Sequence, residues 1–136
     1  AIIRDGEGAT KFVTVIVDSA VDGPEALKVG YTIAESPLVK TALAASDANW
    51  GRILAAIGRA GVDNLDVNRL TVSLNGVLIV ENCGRAASYT EEAGQSAMAE
   101  EDITIHVSLN RGQAAETIWT TDLTYEYVRI NAEYRS

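Results

Sequence analysis

The chain reads as an α+β fold, a largely antiparallel sheet with helices packed on one face. Three observations predict it. Short β-branched runs alternate apolar and polar residues, as half-buried strands do. Proline follows a capping residue at Asp22-Gly23-Pro24 and Ser36-Pro37, marking helix starts. The order of these segments is strand, helices, hairpin, helix, strands, helix, which is that of an α+β domain with a largely antiparallel sheet. The 136 residues fit one domain.

Residues 1–10 show no hydrophobic period and carry two glycines, so they read as an incoming loop. Lys11 to Asp18 alternates and is rich in valine, a strand. Asp22-Gly23-Pro24-Glu25 starts a helix that runs to about Glu35. Ser36-Pro37 starts a second, Leu38 to Ala45, because serine caps well and proline is pre-set for the first turn. Trp50 to Ala60 has helical spacing, with Ile53, Ala56, Ile57 and Ala60 on one face and Gly61 as the stop. Arg69 to Leu74 and Val77 to Glu81 flank Asn75-Gly76, the pair that supplies both positive φ angles of a type I′ hairpin turn. Ala86 to Glu101 contains a helix capped by Ser88 or Thr90. Ile103 to Leu109 and Ala115 to Leu123 read as strands joined through Asn110-Arg111-Gly112, and Tyr125 to Tyr134 as a last helix.

Bulk properties narrow the function. With 19 acidic and 11 basic residues the net charge is −8, so a general nucleic-acid binder is disfavoured, because phosphates reward clustered Lys and Arg. No apolar run has bilayer-spanning length and no signal pattern stands at the start. The lone Cys83 has no internal disulfide partner, which suits a reducing cytoplasm. One histidine cannot anchor a zinc site and no Cys-x-x-Cys spacing occurs, so no metal is expected. The glycines at 6 and 8 precede the first strand, which removes the P-loop and dinucleotide readings and leaves no cofactor expected.

Few residues remain for chemistry. Alternation places His106 with Thr104 and Ser108 on the polar side of its strand, an exposed position rather than a catalytic one. Cys83, without a positioned histidine, reads as a small semi-buried residue. Glu91-Glu92 and Glu100-Glu101-Asp102 read as exposed helix ends. Asp47 to Arg52 reads as a helix start, with Asp47 or Asn49 capping, Trp50 packing, and Arg52 free to pair with Asp47, Asp5 or a segment beyond the chain. Glu7, between two glycines, could hold an ammonium group through charge-assisted hydrogen bonds, or belong to an acidic linker.

Four blocks stand in order: Arg4 to Phe12 (RDGEGATKF), Ser36 to Ala42 (SPLVKTA), Asp47 to Ile53 (DANWGRI) and Glu126 to Ser136 (EYVRINAEYRS). Together they resemble the ornithine acetyltransferase (ArgJ) family of arginine biosynthesis. The resemblance runs from the first residues to the last and implies the C-terminal domain of that enzyme's β chain. It implies a glutamate N-acetyltransferase that moves acetyl from N2-acetyl-L-ornithine to L-glutamate. The nucleophile is a threonine freed by autocatalytic cleavage, whose own α-amino group acts as base, and the route is ping-pong through an acetyl-enzyme. Some members also accept acetyl-CoA. By the same resemblance Glu7 and Asn131 are substrate-binding residues, and Ser136 stands where the family usually has threonine, keeping a hydroxyl. Thr10 is followed by Lys11-Phe12 rather than the apolar pair of the cleavage block, so it is not taken as the nucleophile. The nucleophile and oxyanion hole are expected upstream, which makes the chain inactive alone. The implied partners are the rest of the β chain and the α chain, in a cytoplasmic heterotetramer of two α and two β chains. The alternatives are a structural or assembly domain of the same enzyme, and a paralogue using another acyl acceptor in secondary metabolism.

Overall fold

The computed structural model describes residues 11–122. The elements run β1 (Phe12–Ala20), α1 (Gly23–Ala34), α2 (Pro37–Ala44), α3 (Trp50–Gly58), β2 (Thr71–Leu74), β3 (Val77–Glu81), β4 (Gly84–Arg85), α4 (Glu91–Met98), β5 (Asp102–Ser108) and β6 (Ala114–Thr121). The six strands form one sheet in the order β4-β3-β2-β5-β1-β6. Among the described residues only the β1–β5 pairing is parallel; the others are antiparallel. The expected fold class holds.

One face of the sheet is the core. Val13, Val15 and Val17 of β1, Ile103, Ile105 and Val107 of β5, and Val72 and Leu74 of β2 are all buried. Ile33 and Val29 of α1, Val39 and Leu43 of α2, Ile53 and Ile57 of α3 and Met98 of α4 join the same cluster. β3 buries two consecutive residues, Ile79 and Val80, because its register against β2 shifts beside Val72. Such a bulge adds one residue and re-aims the strand. On the opposite face Thr14, Ile16, Thr104 and Ser73 are half-exposed, and His106 and Trp119 are exposed.

The helix starts follow their caps. Asp22 accepts from Glu25 N at 2.9 Å, Ser36 from Val39 N at 3.2 Å, Asn49 from Arg52 N at 3.0 Å and Thr90 from Ala93 N at 3.1 Å. Each side-chain oxygen satisfies an amide that has no partner inside the helix. Thr90, not Ser88, therefore caps α4. The helix α3 ends at Gly58, before the expected Ala60, with Arg59 as its C-cap; Gly61 turns the chain later, at φ +77. The hairpin turn sits at Asn75 (φ +47) and Gly76 (φ +83) as expected. A second tight turn was not foreseen: Asn82 (φ +51) and Cys83 (φ +62) fold β4 back on β3, pairing Glu81 with Gly84. Cys83 is consequently exposed, which corrects the semi-buried reading. The expected loop over 1–10 and helix over 125–134 lie outside the described residues.

Candidate functional site at the paired ends of β1 and β6

β1 starts at Phe12 and β6 ends at Thr121, and these two residues are register partners in an antiparallel pair. Lys11 and Asp122 are therefore neighbours by construction. Asp122 N donates to Lys11 O at 3.2 Å. Lys11 N donates to the Asp122 side chain, Oδ1, at 2.9 Å. In a regular antiparallel ladder that amide would bond a backbone carbonyl. Here a carboxylate takes its place.

Lys11 is held at its other end too. Its Nζ donates to Met98 O at 2.6 Å and Glu100 O at 3.0 Å, at the C-terminal end of α4. Free carbonyls and the negative end of the helix dipole favour a cation there. Phe12 N donates to Glu101 O at 2.9 Å, tying the start of β1 to the same turn.

Asp122 is only 1% exposed, and its Oδ2 has no hydrogen-bond partner among the described residues. Burial raises its pKa above the usual carboxylate value. The Lys11 amide and the charges of Lys11 and Lys40 act in the opposite direction without cancelling that effect.

The substrate-binding residues expected from the sequence, Glu7, Asn131 and Ser136, lie outside the described residues, as does Thr10. What the structure brings together is the pair of points from which their segments depart. Glu7 stands four residues before Lys11 and Asn131 nine after Asp122. Neither Lys11 nor Asp122 was singled out in the sequence. Lys11 reads as a strand start and Asp122 as the end of a threonine-rich strand. A buried acid there becomes visible only with the β1–β6 register.

The remaining candidates have structural work. Asn49 caps α3 and its Nδ2 donates to Asp47 Oδ2 at 3.1 Å, while Arg52 Nη1 donates to Leu38 O at 3.0 Å. That block is a helix start fastened to α2, while the expected Arg52 partner Asp5 lies outside the described residues. His106 Nε2 lies 2.6 Å from Asp18 Oδ2 on the open sheet face. Burial pushes the Asp18 carboxyl up, but the hydrogen bond to His106, the polar Ser108 hydroxyl nearby and the imidazolium charge outweigh it, so its pKa is lowered overall.

A cleft of about 320 Å³ lies beside the start of α1, lined by Asp22, Glu25, Lys28, Asp63, Asn64 and Arg111 among others. Arg111 crosses it, donating from Nε to Glu25 Oε2 at 3.0 Å, from Nη1 to Asn64 O at 2.7 Å and from Nη2 to Asp63 O at 3.1 Å. These bonds strap the 61–64 loop to α1. Among the described residues no cluster of His, Cys, Asp or Glu could hold a metal ion, and no helix is long and apolar enough to cross a membrane.

The class is thus an α+β domain whose two terminal segments depart from one corner of its sheet. The ArgJ family model matches residues 1–136, and the chain belongs to the ArgJ family. The arginine biosynthesis bifunctional protein ArgJ of Pseudomonas syringae pv. tomato is 62% identical over 136 residues, which is 100% of this chain and 34% of that protein. The protein of the same name from Neisseria meningitidis serogroup A is 56% identical, again over 34% of its length. The chain therefore spans about a third of the length of these curated relatives. The crystal structure of arginine biosynthesis bifunctional protein ArgJ from Bacillus halodurans superposes with a TM-score of 0.86 at 40% identity, covering 98% of this chain and 62% of that one.

Proposed function

We propose that this chain is the C-terminal domain of an ornithine acetyltransferase β chain, and that it supplies Glu7, Asn131 and Ser136 to the substrate pocket. The single observation that carries the reading is the Lys11–Asp122 pairing. It makes two family blocks from opposite ends of the sequence, one holding Glu7 and one holding Asn131, depart from a single corner.

In the proposed reaction the threonine Oγ attacks the acetyl carbonyl of N2-acetyl-L-ornithine, and ornithine leaves with the proton on its amine. The amine of L-glutamate then attacks the acetyl-threonine ester and regenerates the hydroxyl. Threonine and oxyanion hole come from the remainder of the protein. This chain contributes binding: the Glu7 carboxylate holds a substrate ammonium, and Asn131 and the Ser136 hydroxyl provide further hydrogen bonds. No cofactor is required beyond the two substrates. That the relatives are called bifunctional accords with acetyl-CoA as a second acetyl donor. The assembly is a cytoplasmic heterotetramer of two α and two β chains.

The test is acetyl transfer in the full-length enzyme carrying Glu7→Gln. A hydrogen bond to a charged group contributes about 1.5–3 kcal/mol, so kcat/KM should fall about 10- to 100-fold. Unchanged KM and kcat would leave the domain as scaffold only. One observation favours that second reading: Trp119, 60% exposed on the sheet face opposite the described core, suits packing against the rest of an enzyme.

A further inference from the structure

We infer that the outer face of α1 is a self-complementary surface, through which two copies of this domain pair antiparallel about a twofold axis beside Tyr31 and Thr32. The inference rests on the two-copy assembly proposed above and deepens it.

α1 has a packed inner face and a free outer one. Gly30 lies against Ile118 of β6 and Val17 of β1, and Ala26, Val29 and Ile33 are buried beside it. On the other side of the helix Pro24, Lys28, Tyr31 and Glu35 are exposed, with Leu27 and Thr32 half-buried at the edges. A shallow groove of about 600 Å³ follows this outer face as far as Ala60, just past the end of α3. Among the described residues the exposed large apolar side chains are Val21, Tyr31, Leu38 and Trp119. The first three belong to this side: Val21 precedes α1, Tyr31 stands on it and Leu38 follows it, at 53%, 50% and 55% exposure. Trp119 belongs elsewhere, because strand alternation sends Ile118 towards α1 and its neighbour to the opposite sheet face. The two apolar surfaces therefore do not compete for one partner.

The charges select the occupant and its direction. Lys28 and Glu35 are seven residues apart, hence about 10 Å apart along the helix and within about 20° around it. Neither forms an ion pair among the described residues. A parallel copy of α1 would set lysine on lysine and glutamate on glutamate. An antiparallel copy, with the axis midway between the two charges, sets Lys28 on the partner's Glu35 and Glu35 on the partner's Lys28. This is the isologous contact that a twofold axis requires. The axis then falls between Tyr31 and Thr32. A tyrosine ring suits the centre of an interface. Thr32 suits it too, since its hydroxyl already donates to Lys28 O at 2.7 Å and burial strands no donor. The 12 residues of α1 make a helix about 18 Å long. That is less than a standard interface of about 1,600 Å² needs, so α1 fixes direction and register while the rest of the protein adds area.

The experiment uses the full-length enzyme, its mass followed by sedimentation velocity over a dilution series. Lys28→Glu puts two pairs of like charges across the axis, and Glu35→Lys does the same with the opposite sign. Each should raise the dissociation constant between copies about tenfold or more. The double variant restores unlike pairs and should return to within about threefold of wild type. Residues seven apart on one helix are not side-chain neighbours, so such rescue reports contact between copies. Glu92→Lys, the same charge change on the exposed side of α4, should leave the mass unaltered. Where the assembly is too tight to dilute apart, cross-linking decides. In a Cys83→Ser background, Thr32→Cys should join two β chains through a short bis-maleimide, and Glu92→Cys should not. A double variant as impaired as the singles together overturns the inference. So does an unmoved mass with no link at position 32, as when another part of the protein covers α1. Either result in an enzyme that transfers acetyl leaves the functional reading standing. Pairing through α1 in an enzyme that transfers none removes the functional reading alone.

Discussion

Asn75→Gly isolates what one side chain contributes to joining three elements. Asn75 sits at φ +47, which glycine adopts freely, so the turn survives the change. Its backbone bond to Thr104 O survives as well. What disappears is the acceptor for Thr104 N (2.7 Å) and the two donors to Ala97 O (3.0 Å) and Asp102 O (3.1 Å). Each net hydrogen bond is worth about 0.5–1.5 kcal/mol, so the three sum to about 1.5–4.5 kcal/mol. Water can replace the exposed bond to Asp102 O, which favours the lower half. Relief of left-handed strain, about 1 kcal/mol, is offset by a similar loss of chain entropy at glycine. The expected destabilisation is about 2 kcal/mol, or a Tm lower by about 8 °C in a domain of this size. Urea unfolding followed by circular dichroism measures it. A loss below about 0.5 kcal/mol with an unchanged m-value would refute the latch, because the three bonds would then contribute nothing net.

Further expectations follow from single residues. A Cβ at Gly112 would collide with the Ala20 carbonyl oxygen and the Val21 Cα, backbone atoms that cannot rotate away; Gly112→Ala should lower stability by about 2 kcal/mol or more, read from the urea midpoint. Cys83 is exposed, so a disulfide reagent should titrate one thiol in the native protein as completely as in denaturant; a protected thiol would contradict the Asn82-Cys83 turn. The two perturbed acids should give opposite pH signatures. Asp18 is lowered, so its stabilising contribution is present above the unfolded value of about 3.9 and lost as pH falls through the folded value. Asp18→Asn should flatten that acid limb. Asp122 is raised, so its contribution is full below about 3.9 and lost as pH rises through the folded value. Asp122→Asn should gain on the wild type as pH climbs from 3.5 to 7 in urea titrations, and a constant difference would contradict the burial argument.

Local signals made most of the fold legible. The caps at Asp22, Ser36, Asn49 and Thr90 each act within three residues, and Asn75-Gly76 needs no partner to specify its turn. The failures share a cause. β4 escaped because its turn places Cys83, not glycine, at positive φ, so the usual hairpin pair is absent from the text. The insertion of β5 between β1 and β2 escaped because nothing in DITIHVS distinguishes a parallel from an antiparallel neighbour. Arg111 read as a turn residue, yet it straps a loop some fifty residues away, and such distance leaves no spacing to read.

The site divides in the same way. Histidine, aspartate and serine do meet on the open sheet face, but in the wrong order for a nucleophile. A serine triad needs the imidazole between acid and hydroxyl. Here the imidazole meets only the acid: His106 Nε2 pairs with Asp18 Oδ2, while Ser108 Oγ donates to Asn110 Oδ1 at 3.3 Å. Among the described residues no hydroxyl is hydrogen-bonded to the imidazole. Its partner is a surface ion pair, worth little on its own. Alternation already marks His106 as an exposed strand residue, whereas only sheet register points to Lys11 and Asp122, which lie 111 positions apart in sequence yet bond from Lys11 N to Asp122 Oδ1 at 2.9 Å. A sequence can announce which blocks belong to a family. Only the β1–β6 register shows that Lys11, inside the first of those blocks, is paired with Asp122, four residues before the last.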